Sequence, residues 1–184
     1  MRIPRALAAA GVALLSGCGG GGGGGSPLGG PTGPTCPAVV TAVANEGWSH
    51  VAEGTTVNYR ANPPASGPHY PVWARYREHA SAVARPYWVH NLEHGAIVFL
   101  YRPDAPPAVV AALRGVFQSL PNDPACGHRR ALMTPDPLLL GTMAVVAADH
   151  VLGAECVNGQ AILDFVSLYR GRGPEQVCED GTRP

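Results

Sequence analysis

Seven histidines are spread through the 184 residues, and two of them share one short segment, His90-Asn91-Leu92-Glu93-His94. Neutral imidazole is the commonest metal ligand among side chains, so the spacing decides whether two can serve one ion. Residues four apart share a face on a helix, and residues an even number apart share a face on a strand. His90 and His94 therefore lie on one side in either conformation, while Glu93 joins them only on a helix. A third ligand has to come from elsewhere. His69 is the candidate, because it sits in Pro63-Pro64-Ala65-Ser66-Gly67-Pro68-His69-Tyr70-Pro71, where proline restrains the chain. The expected site is His69, His90, His94 and Glu93 around a transition-metal ion. Imidazole nitrogen suits zinc, copper, nickel and iron, and copper or zinc is the expected ion. Met133 and Met143 would favour copper(I) if they lay nearby, but each falls in an apolar strand pattern and reads as core.

Two other readings compete. His90-x-x-Glu93-His94 spells the H-x-x-E-H motif of the inverzincin metalloproteases, in which two histidines hold zinc and the glutamate activates water. That chemistry needs a firm helix, and Pro86 and Gly95 leave room for roughly two turns. A metal-dependent hydrolase also needs an open coordination position. The plainer alternative is a non-catalytic binding or structural module of the cell envelope. In it the histidines bond to backbone carbonyls, and Glu93 pairs with Arg60 or Arg102. Its recognition surface would be the aromatic loop of Tyr70, Trp73, Tyr76, Tyr87 and Trp88, marked by a contiguous exposed patch. His79, His128 and His150 read as surface or loop residues and are given no role, and His50, in Ser49-His50-Val51, is left open between the two readings. No serine sits in a nucleophile elbow and no glycine-rich phosphate loop follows a strand, so catalytic residues are not assigned.

The elements that must position these side chains follow from periodicity. Thr55–Arg60 alternates weakly and is an early strand candidate, and residues 61–88 read as a long ordered loop. Ala96–Tyr101 is a continuous apolar run of strand length, as a doubly buried strand requires. Asp104 ahead of Pro106-Pro107 suits a helix N-cap. Val109, Val110, Leu113, Val116, Phe117 and Leu120 then continue at helical spacing. Residues 130–134 and 142–148 read as two strands, and Asn158 as the cap of a last helix burying Ile162, Phe165, Val166 and Tyr169. The order strand-helix-strand-strand-helix predicts an α+β fold with a small mixed sheet, and a ferredoxin-like split unit lacking or borrowing a strand is one arrangement of it.

The first residues read as a targeting segment. Arg2 and Arg5 precede an apolar run, Ala6–Leu15, that is too short for a membrane span. Leu15-Ser16-Gly17-Cys18 then resembles a bacterial lipobox. Residues 1–17 are the expected lipoprotein signal peptide. Cys18 carries the lipid, and residues 18–35, with an unbroken glycine run from Gly19 to Gly25, form a tether. Residues 36–184 form a single globular domain, exported and anchored to the envelope through the lipid. Loss of Arg2 and Arg5 from the 13 basic residues leaves 11 facing 13 acids, so nucleic-acid binding has no electrostatic footprint. The protein partner is unknown. Four further cysteines in an exported chain imply two disulfides. The expected pairs are Cys126 with Cys156, flanking a hairpin, and Cys36 with Cys178, at the ends of the domain.

The segments Pro63–Pro71 and Val89–Ala96, with Trp73 between them and Tyr101-Arg102-Pro103 after the strand, resemble a bacterial family catalogued as domain of unknown function 3105. The resemblance runs from about residue 46 to 173. It implies an exported or membrane-anchored protein and no particular activity. This chain departs from the family pattern at Arg75-Tyr76-Arg77-Glu78, where members carry a glycine and a tyrosine.

Overall fold

A computed structural model describes residues 36–184. Cys18, the expected leader and the tether lie outside the described residues. The element order is β1 (Val39–Ala42), α1 (Arg85–Glu93), β2 (Ile97–Tyr101), α2 (Pro107–Ser119), β3 (Ala131–Pro135), β4 (Met143–Ala147), β5 (His150–Ala154) and α3 (Gly159–Tyr169). The five strands form one mixed sheet in the order β1-β5-β4-β2-β3. Only β2 and β3 run parallel, joined through α2, and the other neighbours are antiparallel. The fold is α+β, as the pattern of elements predicts. In a split unit another strand would separate β2 from β3, whereas here they are direct neighbours, so the ferredoxin-like arrangement does not apply.

The apolar run of β2 is explained by burial on both faces. Ile97 and Phe99 join α2 and α3 in one hydrophobic cluster, while Val98 and Leu100 join Trp88, Val89 and Leu92 of α1 in a second. Met133 and Met143 belong to the first cluster, fully buried, and are core as expected. Helix α3 is capped as read from the sequence, with the Asn158 side chain accepting from the Ala161 N–H at 3.1 Å. At α2 the expected cap is wrong. Pro106 occupies the cap position without a side-chain bond, and Asp104 pairs with Arg102 instead. Thr55–Arg60 is not a strand. Weak alternation finds no neighbouring strand there, and the backbone N–H of Arg60 donates to the Glu46 carboxylate.

The disulfides also differ from the expected pairing. Cys36 bonds to Cys156 and Cys126 to Cys178. Cys36 precedes β1, which lies antiparallel to β5 with Val39 opposite Gly153. The chain before β1 therefore meets the chain after β5, and Cys156 is there. Cys126, in the turn before β3, is met by the C-terminal tail. Among the described residues no helix is long and apolar enough to cross a membrane.

Candidate metal-binding site

The segment carrying His90 is helical. Arg85-Pro86 opens α1, where proline's fixed φ suits the first turn. Gly95, at φ 76°, ends it, and His94 is the C-cap residue with its N–H on the His90 carbonyl at 3.2 Å. The helix is buried on nearly every side, so it lacks the polar stripe by which a surface helix is recognised. On it His90, Glu93 and His94 share a face, as their spacing requires.

A loop brings two further histidines to that face. The chain at His50 and His69 forms a single parallel bridge, with the His69 N–H donating to the Ser49 carbonyl at 3.0 Å and the Val51 N–H to the His69 carbonyl at 2.8 Å. Gly67, at φ 120°, turns the chain into this bridge, and a Cβ there would come within 2.9 Å of the Tyr59 ring. Asn91 fastens the loop to the helix through both backbone groups of Ala74, at 2.8 and 3.1 Å.

The result is a convergence on one carboxylate oxygen. Oε2 of Glu93 lies 3.0 Å from Nε2 of His69, 3.6 Å from Nε2 of His50 and 3.7 Å from Nε2 of His90. The ligating atoms of these four residues all fall within 4.8 Å of one another, a group able to hold a metal ion. His69, His90 and Glu93 are buried, whereas the His50 side chain is 50% exposed and forms the solvent-facing side. Nδ1 of His69 is 2.8 Å from the Gly67 carbonyl and Nδ1 of His90 is 2.5 Å from the Tyr70 carbonyl. A carbonyl only accepts, so each Nδ1 carries a proton, and in the neutral ring each Nε2 presents a lone pair. Burial pushes the His90 imidazole down to about 4 against the opposing pull of the Tyr70 carbonyl. Burial likewise pushes His94 down to about 4.

Three of the four expected ligands, His69, His90 and Glu93, are thus brought together. His94 stands beside them in a second group with Glu93 and Glu175; its Nε2 is 3.1 Å from Nε2 of His90 and 3.5 Å from Oε2 of Glu175. The place expected for His94 is taken by His50, which sequence reasoning missed. Its only signal is a backbone bridge between segments nineteen residues apart, and one bridge leaves no periodicity. Glu93 pairs with neither Arg60 nor Arg102. Of the remaining histidines, His79 is buried rather than on the surface, with Nε2 3.0 Å from the Arg75 carbonyl. In the aromatic loop Tyr70 and Trp88 are buried and Trp73, Tyr76 and Tyr87 half-buried, so no contiguous exposed patch forms.

No curated protein and no solved structure matches this chain. A family model described as a protein of unknown function, DUF3105, matches residues 50–181, a span that holds every residue of both groups. The chain belongs to the DUF3105 family.

Proposed function

We propose that this chain is an exported, lipid-anchored envelope protein that binds one transition-metal ion, zinc or copper(II), through His50, His69, His90 and Glu93. The supporting observation is the fixed tautomer of two buried rings. The Nε2 lone pair of His69 aims at a carboxylate oxygen 3.0 Å away, with Nε2 of His90 3.7 Å from the same oxygen, and electron-rich atoms so placed repel unless a cation lies between them. A single proton relieves one such contact. A metal ion relieves all of them, and the three separations from Oε2 of Glu93, 3.0 to 3.7 Å, bracket the roughly 3.4 Å between ligand atoms each about 2.0–2.2 Å from a tetrahedral ion. Bonds from Nδ1 to backbone carbonyls are the outer-shell arrangement that orients metal-bound histidine, and depressed basicity keeps His90 in the neutral, ligating form.

Nitrogen and oxygen donors suit zinc or copper(II). The soft donors that would favour copper(I) are elsewhere, with both core methionines in the other cluster and all four described cysteines in disulfides. Glu93 lies among the ligands, so it is not left free as the base that hydrolysis would need. Four protein ligands favour holding or delivering an ion, and the exposed His50 side is the way in. Export and anchoring rest on Arg2, Arg5, the apolar run and Cys18.

Thermal unfolding with added zinc or copper(II) tests the site. An ion present at a hundred times its Kd stabilises by about 2.7 kcal/mol, about 5–10 °C in Tm for a chain of this size. Glu93→Gln and His69→Ala should remove the shift. No shift with either ion in the parent protein would remove this reading.

A further inference from the structure

We propose that the site is dinuclear, with Glu93 bridging the first ion to a second cation position built by His94 and Glu175. This rests on the proposed first ion and extends it. Glu93, His94 and Glu175 offer ligand atoms within 4.8 Å of one another. The second, independent observation is the state of His94. Its ring is buried at 2% exposure, its Nδ1 has no hydrogen-bond partner, and its Nε2 faces Nε2 of His90 at 3.1 Å.

That contact holds only while His90 is free. The proton on Nδ1 of His90 leaves Nε2 as an acceptor, to which His94 can donate. Once the first ion takes that lone pair, the acceptor is gone and Nε2 of His94 is left with only the Glu175 carboxylate oxygen at 3.5 Å, a poor substitute for a buried ring whose Nδ1 already lacks a partner. A cation on Nε2 of His94 gives it a partner again, beside the Glu175 carboxylate at 3.5 Å. Glu93 has two carboxylate oxygens, and a bridging carboxylate suits the roughly 3.5–4 Å between the ions of two-metal sites. Two glutamates would then face two dications.

The backbone delivers Glu175 to this position. Its N–H donates to the Glu93 carbonyl at 3.0 Å, and the Gly171 N–H donates to the Gly95 carbonyl at 2.8 Å. Between them Gly173 lies so close to the end of α1 that a Cβ would sit 2.2 Å from the Glu93 carbonyl oxygen. The Cys126–Cys178 disulfide fastens the tail beyond. With three protein ligands and a Glu175 side chain 54% exposed, the second position keeps a coordination site open to solvent, unlike the first.

Equilibrium dialysis against zinc, followed by elemental analysis, reads the stoichiometry. The parent protein should hold two equivalents, Glu175→Gln and His94→Ala one each, and that remaining equivalent should vanish when His69→Ala is added. Glu175 is exposed, so the Glu175→Gln result stands even if His94→Ala misfolds. One equivalent in both parent and Glu175→Gln would overturn the second position and leave the first intact, making Glu175 only a hydrogen-bond acceptor for His94. Two equivalents in both would place the second ion elsewhere and also overturn it. None in the parent would remove the first ion and this inference with it.

Discussion

Two buried imidazoles with lowered basicity make the site sensitive to acid at the scale of single residues. His90 and His94 titrate near 4 in the folded chain and near 6.5 when unfolded. Between those values the unfolded chain binds more protons, so stability falls as pH drops from about 6.5 toward 4, and the two rings contribute no pH dependence above 6.5. Denaturant unfolding of metal-free protein should show a lower midpoint at pH 5 than at pH 7, with a smaller gap in a His90→Gln/His94→Gln variant. Equal gaps in the two proteins would mean that these rings are not what titrates.

Individual residues also divide into those the sequence exposes and those it hides. His90, Glu93 and His94 are legible because their spacing is a property of one helix. His69 is legible because proline and glycine around a histidine restrict where it can point. His50 and Glu175 are not, since each reaches the site through contacts between distant segments. His94 was expected in the first group by the same helical argument, and that argument fixes a face without fixing which ion-sized volume on the face a ring reaches.

Among the elements, the close packing of the tail on α1 is the most exacting contact. A Cβ at Gly173 would meet the Glu93 carbonyl oxygen at 2.2 Å, the Gly95 nitrogen at 2.3 Å and the Leu92 carbonyl oxygen at 2.7 Å. All three are backbone atoms of a buried segment and cannot swing aside. Gly173→Ala should therefore cost at least the about 1–3 kcal/mol typical of overpacking, read as a lower unfolding free energy in denaturant. An unchanged value would show that the tail is not seated there. Strands β2, β3 and β4 and helices α2 and α3 were all legible, because continuous apolar runs and helical spacing survive in any context. Helix α1 was half hidden. Buried all round, it carries no amphipathic stripe, and only the start signal of Pro86 and the stop at Gly95 remain. Strand β1 was invisible, since its four residues are exposed at the sheet edge and alternate with nothing.

For the whole molecule, two covalent closures hold the sheet and the tail in place. Cys36–Cys156 spans 120 residues and Cys126–Cys178 spans 52. Chain-entropy reasoning assigns each about 4–5 kcal/mol. Replacing either pair with alanine should lower the unfolding free energy by that order, and a loss below about 1 kcal/mol would contradict it. The connectivity was unreadable in the sequence because it depends on which strand ends meet. Beside the second disulfide, buried Arg130 pairs with Asp123 at 3.1 Å and donates to the His94 carbonyl at 3.2 Å, so the tail, the turn before β3 and the end of α1 form one packed corner. The candidate site thus rests on the α1 face of the sheet, with the sheet's other face closed by α2 and α3.

The central claim is that His50, His69, His90 and Glu93 hold a metal ion. Elemental analysis of the protein purified without chelator or a histidine tag, beside His69→Ala, tests it most directly. The account predicts at least one equivalent of zinc or copper in the parent and the loss of one equivalent in a variant that keeps its native circular dichroism. A parent that stays metal-free after incubation with zinc and copper(II), or a folded His69→Ala variant that holds as much metal as the parent, would contradict it.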